Sequence, residues 1–363
     1  MKGASHEDRA KRWVHGRGSV RNPRNRFEGM EYLPLEEVDT EGQASEPLRP
    51  RTVYLPDQSK SILSYNDSPD VGFRVGVNPY RGCEHGCVYC YARPFHEYLG
   101  YSAGLDFETK IFYKAEAPEL LRRALSAPSW KPEPIALSGA TDCYQPIERR
   151  LEITRRCLEV LLYFRNPVVI ITKNRLVLRD VDLLSALAEH NLVRVFITVT
   201  TLDLALNRAL EPRSSSPEQR VETIRGLAAH GVPVGVLAAP IIPTLNEPEM
   251  PRILEVCREA GAQFAGYIVL RLPHGVADLF TEWLSVHYPL RKEKILNRIR
   301  SLRGGGLNCS EFGERMRGSG LFAAEIEQMF RVWCRRLGLN GEMPPLSVNA
   351  FRRPGSDQLT LEF

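Results

Sequence analysis

Three cysteines carry the chemistry that the sequence announces. Cys83, Cys87 and Cys90 sit in the run Asn78-Pro-Tyr-Arg-Gly-Cys-Glu-His-Gly-Cys-Val-Tyr-Cys-Tyr91, a C-x3-C-x2-C spacing. Thiolates are soft donors that suit iron–sulfur clusters, zinc or Cu(I). Three of them on one glycine-containing loop would hold three irons of a 4Fe–4S cube. The fourth iron would then stay open to a ligand, as catalytic zinc keeps an open position. Two readings compete with this one. A structural zinc would want a fourth ligand, which His85 or His96 would supply. A ferredoxin-type cluster would use a C-x2-C-x2-C run and a fourth cysteine.

The loop resembles the signature of the radical SAM superfamily, including the aromatic residue, here Tyr89, before the last cysteine. That resemblance implies a 4Fe–4S cluster whose open iron is chelated by S-adenosylmethionine. It also implies an electron donor such as flavodoxin or ferredoxin, reductive cleavage of S-adenosylmethionine to a 5′-deoxyadenosyl radical, and hydrogen abstraction from a substrate.

The elements around the loop must position it. From residue 73 the pattern alternates strand and helix, with strands expected at 73–77, 134–137, 168–172, 193–200, 232–239 and 264–270. Val168-Val-Ile-Ile-Thr172 is a continuous apolar run of the kind that fills buried parallel strands. A single amphipathic helix is expected over 146–164, and Ser216-Pro-Glu-Gln reads as a capped helix start. Six such units predict a parallel α/β sheet. The resemblance specifies a partial (β/α)6 TIM-type barrel. Helices expected near 277–287, 289–302 and 321–337 form a C-terminal extension suited to closing the barrel's lateral opening. The organisation expected is thus a flexible basic arm over 1–50, a core over 51–275, a helical extension over 276–343 and a tail over 344–363.

In parallel α/β folds ligands gather at the C-terminal ends of strands. There the sequence places Ser138-Gly-Ala-Thr-Asp142 after the second strand, Lys173 after the third, Thr198 and Thr200 on the fourth, and Leu270 with Arg271 after the sixth. The small residues Ser138 and Gly139 let backbone approach a ligand, and Thr141 and Asp142 offer acceptors to an ammonium. Helix capping is the competing role for that pair. Lys173 suits a carboxylate, the threonine hydroxyls suit ribose, and the apolar residues after strand five suit adenine.

Lys173, the 138–142 stretch and the two threonines together resemble the spore photoproduct lyase-like proteins over roughly 73–275. Residues 17–18, 22–23, 26–28 and 66–70 resemble the photolyase-like radical SAM proteins. The implied substrate is a damaged or modified nucleobase in DNA. One departure stands out. The lyase's hydrogen-donating cysteine lies just upstream of its Ser/Thr-Asp pair, where this chain has Gly139 and Ala140. Cys143, just after the pair, is the replacement candidate.

Charge points the same way. Residues 1–26 carry eight Lys/Arg against two acids, and 291–336 carry eleven against five, on a chain whose net charge is +4. Basic ends on an acidic middle suit a polyanion. The last residues, Gln358-Leu-Thr-Leu-Glu-Phe363, resemble the hexapeptide that binds the bacterial sliding clamp, with Gln358, Leu359, Leu361 and Phe363 as anchors. No apolar run reaches a membrane span, no signal core opens the chain, and the eight cysteines do not read as a disulfide framework. Those features suit the cytoplasm. The rival functions are radical modification of a protein or RNA, and a non-catalytic iron–sulfur or zinc nucleic-acid-binding protein.

Overall fold

The computed structural model describes residues 14, 16–28, 50–342 and 344–353. The hexapeptide at 358–363 lies outside the described residues, as do most of residues 1–49.

Seven strands form the main sheet: β2 (Leu63–Tyr65), β3 (Val75–Val77), β6 (Ile135–Leu137), β7 (Val168–Thr172), β8 (Val193–Thr198), β9 (Val234–Ile241) and β10 (Phe264–Val269). Their order across the sheet is β10-β9-β8-β7-β6-β3-β2. From β3 to β10 every neighbouring pair is parallel. Each β/α unit therefore adds the next strand on the same side, as in a barrel wall. β2 runs antiparallel on the outer edge of β3. β3 and β10 do not pair, so the wall stays open and the architecture is a partial TIM-type barrel. The six expected strands are all present, with ends shifted by up to two residues.

The barrel's free edge is covered mainly by the segment between the second and third C-terminal helices. The chain beyond β10 returns to it. Val269 N donates to Met316 O at 2.9 Å. Arg303 donates to the carbonyls of Val269 and Leu270 at 3.0 and 2.7 Å. Arg315 then reaches across to Asp70, Nε to Oδ2 2.5 Å, on the loop between β2 and β3. One strip of the extension thus ties the two open edges together. Helices Val276–His287, Lys292–Leu302 and Leu321–Leu337 build the rest of it.

The helix expected over 146–164 is broken. It forms as Glu148–Leu151 and Ile153–Phe164, with Glu152 between them at φ 51°. The reason lies in Glu148. Its fully buried carboxylate accepts from Thr154 N at 3.0 Å and so caps the second helix, where a negative charge is favoured. It also holds Arg179 at 2.8 Å and the Tyr80 hydroxyl. Sequence periodicity carries no trace of such long-range partners. By contrast, Ser216 caps its helix with a full capping box, as its local sequence requires.

A second sheet, in the order β1-β5-β4, joins Val53–Pro56, Lys110–Tyr113 and Tyr80–Arg81. It lies against the cysteine loop, where the Tyr54 hydroxyl donates to Glu84 Oε2 at 3.0 Å.

Residues 16–28 correct an expectation. Part of the arm read as flexible and basic is docked on the core. Arg17 is buried and donates to Glu108 O at 2.9 Å and Thr52 Oγ1 at 3.0 Å. Arg26 pairs with Glu97 at 2.6 Å, and Asn22 bonds Asp106 at 3.0 Å. Carboxylates distant in the sequence neutralise cations that sequence charge alone assigned to a polyanion.

Candidate active site

The cysteine loop follows the short strand β4. Gly82 and Gly86 hold φ of +75° and +67°, a region costly for other residues. A Cβ on Gly86 would lie 2.7 Å from Glu108 Oε2. Cys83 N donates to Phe107 O at 2.9 Å and Cys90 N to Cys87 O at 3.2 Å. Beneath the loop lies Arg93, fully buried. It donates to the carbonyls of Cys87 and Gly104 at 2.9 and 3.0 Å, and to Glu108 Oε1 at 2.5 Å.

All three cysteine thiols line one cavity of about 210 Å³ at the C-terminal mouth of the sheet. Tyr89, Ser138, Thr141, Asp142, Lys173, Thr198, Leu270 and Arg271 share its walls. Burial pushes all three thiols above their ordinary range. A bound metal reverses that by deprotonating coordinating thiols outright. Among the described residues no three His, Cys, Asp or Glu groups converge on a single ion. A cube takes each thiolate on a separate iron and needs no such convergence. The donor set therefore fits a cluster held by three thiolates, which Cys83, Cys87 and Cys90 would supply.

Among the described residues neither suggested zinc histidine joins the thiols around a single ion. His85 sits with Nδ1 3.4 Å from Asp142 and Nε2 3.1 Å from Asn174. His96 does not line the cavity. It packs among Tyr101, Phe107 and Phe112, where burial pulls its pKa down to about 4.

The 138–142 stretch reaches the cavity, but its polar groups are largely spoken for. Asp142 accepts from Thr172 Oγ1 at 2.8 Å and Lys173 N at 2.9 Å. Burial opposes its charge, yet His85 and these donors hold its carboxyl below the usual range. Thr141 donates to Tyr80 O at 2.8 Å, and Gly139 O accepts from the Tyr91 hydroxyl at 2.6 Å. Ser138, at φ 78°, accepts from Cys143 N at 2.7 Å. Asp142 thus ties β6 to β7 and to the cysteine loop.

Two expectations are corrected. Cys143 is not among the residues lining the cavity; its side chain is fully buried in the main apolar core. Thr200 also lies behind the wall. Its hydroxyl lies within hydrogen-bond distance of Glu211 at 2.6 Å and Ala239 O at 2.9 Å, while Thr198 does face the cavity.

Sequence reasoning missed Glu211. This fully buried carboxylate gathers Arg220, the Tyr89 hydroxyl, Thr200 and Asn207, and it lies 3.5 Å from Lys173 Nζ. Burial alone would raise its pKa, but Arg220 and Lys173 outweigh burial and hold it well below the carboxylate range. It anchors the one lysine in the cavity wall to the aromatic residue of the cysteine motif. No local signal marks it, because its partners come from three other segments.

Comparison with known proteins places this geometry. The family model of the radical SAM superfamily matches residues 77–257. An uncharacterized protein of Mycobacterium tuberculosis (strain ATCC 25618 / H37Rv) is 34% identical over 232 residues, 63% of this chain and 67% of that protein. One of Methanocaldococcus jannaschii is 30% identical over 190 residues, 52% of this chain and 69% of its own. Among solved structures, spore photoproduct lyase complexed with dinucleoside spore photoproduct superposes with a TM-score of 0.58 at 16% identity, covering 79% of this chain and 80% of that one. That likeness is one of fold.

Proposed function

The chain belongs to the radical SAM superfamily, and from that premise we propose that it acts on a damaged or modified nucleobase in DNA. The superfamily's 4Fe–4S cluster and S-adenosylmethionine supply the hydrogen-abstracting radical when both are bound. This chain's residues would do the rest. Cys83, Cys87 and Cys90 would hold the cluster. Lys173, steadied by Glu211, would receive the methionyl carboxylate as a point charge. Thr198 would meet the ribose, and Leu237, Ala239 and Leu270 would pack the adenine. Beneath the loop, the apolar wall around Tyr89 and Leu270 would keep water from the reacting atoms.

The observation that carries the nucleobase reading is a row of exposed aromatics beside the cavity mouth. Phe95 and Tyr98, 51% and 68% exposed, line a second cavity with Arg81 and Lys114. That cavity shares Ala140 and Thr141 with the first. Exposed rings suit stacked bases, and an extruded base is the usual way to bring a nucleotide into a closed site; of the cations beside them, Arg81 is paired with Asp57 at 2.7 Å and Lys114 is buried. The fold shared with a lyase seen with a dinucleoside photoproduct supports the same class.

The test is anaerobic reconstitution with iron and sulfide, then dithionite and S-adenosylmethionine, with and without ultraviolet-irradiated DNA. Formation of 5′-deoxyadenosine that rises with the irradiated DNA, and a mass change in the lesion, are the expected results. Cleavage of S-adenosylmethionine that responds to RNA or protein instead would overturn the DNA reading.

A further inference from the structure

A larger cavity, about 850 Å³, lies outside the cysteine cavity, between the loops that follow β6, β7 and β8. Five arginines line it, Arg149, Arg150, Arg175, Arg179 and Arg213, and no Asp or Glu does. Arg179 is neutralised by Glu148 and Asp180, and Arg213 pairs with Glu84 at 3.2 Å. Arg149, Arg150 and Arg175 have exposed side chains and, among the described residues, no carboxylate partner. Three guanidinium groups therefore face one concave surface uncompensated.

Two residues of the cleft wall bond the cysteine loop directly. Arg213 N donates to His85 O at 3.3 Å, and Asn174, also in the cleft wall, meets the His85 ring at 3.1 Å. His85 stands between Cys83 and Cys87 in the chain and lines the inner cavity. His85 thus touches the wall of the basic cleft and the cavity of the three thiols. The Tyr91 and Arg271 end of the inner cavity, where substrate would enter, shares no residue with the cleft.

We propose that this arginine cleft is the docking surface for a small acidic one-electron carrier, a flavin or iron–sulfur protein, that reduces the cluster through the outer face of the cysteine loop. The proposal rests on the radical SAM reading, which requires one external electron to bring the cluster to the reduced state that cleaves S-adenosylmethionine. The carrier loses that electron and the cluster gains it, with no bond made or broken between the two proteins. Arginine forks match carboxylates in pairs, and a one-sign cleft speeds encounter with an oppositely charged partner. A nucleic acid seated there would track phosphate away from the substrate entrance, which makes the acidic carrier the better occupant.

The experiment uses the reconstituted full chain and its R149E/R150E/R175E variant, with an acidic bacterial flavodoxin and an acidic ferredoxin as probes. Binding is titrated at low and high salt, and cluster reduction is followed by electron paramagnetic resonance. In the variant, affinity for at least one carrier should fall tenfold or more, and reduction by that carrier with it. In the wild type the same affinity should fall with salt. Reduction by dithionite should not change, which also shows that the variant's cluster is intact. Equal carrier affinity in the two proteins overturns the proposal. Loss of affinity for a duplex DNA probe with carrier affinity retained overturns it in favour of phosphate binding. Failure of the wild type to cleave S-adenosylmethionine with dithionite would instead count against the radical reading, separately from the binding arm.

Discussion

Arg93 and Glu108 form an ion pair with no exposed atoms, Nη2 to Oε1 2.5 Å, that fastens three segments at once. Arg93 holds the carbonyls of the cysteine loop, while Glu108 accepts Gly18 N at 3.0 Å and Ser19 N at 2.9 Å. The N-terminal strap is therefore bolted to the loop through a single carboxylate. Removing one partner of such a pair leaves a buried charge and costs about 3–5 kcal/mol. Glu108→Ala should lower the thermal midpoint of the apoprotein and reduce iron incorporation. An unchanged midpoint would mean that the strap does not brace the loop.

Gly18 tests the same contact sterically. A Cβ there would lie 1.7 Å from Gly86 O, inside the loop. Backbone on both sides leaves little room to yield, so Gly18→Ala should cost about 1–3 kcal/mol by overpacking. Denaturant unfolding would read it. Gly16→Ala, with no atom within 4 Å of its Cβ but φ +73°, is the control for backbone strain alone.

Lys173 is expected to govern cofactor affinity and not cluster assembly. Loss of a charge-assisted bond is worth about 1.5–3 kcal/mol, so Lys173→Ala should weaken S-adenosylmethionine binding at least tenfold. Iron and sulfide content should match wild type. Normal affinity in a calorimetric titration would remove Lys173 from the binding site.

Glu211 sets an acid limit. Its folded pKa lies below the ordinary value of 4.5 because Arg220 and Lys173 outweigh burial. A carboxylate lowered on folding stabilises fully above its unfolded pKa, and that contribution drains away as pH falls from there towards the folded value. Wild type should lose stability below about pH 4.5 in part through this group. Glu211→Gln should be less stable at pH 7 and show a shallower decline between pH 4.5 and 3. Parallel acid limbs in the two proteins would refute the assignment.

Cys143→Ala separates a core thiol from a hydrogen donor. The thiol lies in the apolar core, away from the cavity, so 5′-deoxyadenosine formation and product partition should stay as in wild type, with stability lowered by about 1 kcal/mol. A switch in products would restore the donor role.

Deleting residues 358–363 tests the clamp hexapeptide by itself. Binding to a bacterial sliding clamp should be lost while S-adenosylmethionine cleavage is kept. Clamp binding that survives the deletion would end that reading.

The sequence by itself determined what is local and periodic. The C-x3-C-x2-C loop, the six strand runs, the Ser216 cap and the placing of Lys173, Thr198 and Leu270 at strand ends follow from spacing, alternation and composition over a few residues. The tertiary structure decided which polar groups are still free to act. Asp142 and Thr200 are consumed by partners in other segments, Cys143 is turned into the core, and in the basic strap at 16–28 Arg21 and Arg26 are paired with Glu282 and Glu97. Glu211 and the arginine cleft became visible for the same reason. Side chains from separate β/α units meet when the sheet curves, and neither a buried ion-pair hub nor a cleft shared by three loops leaves a signature in any one stretch of chain.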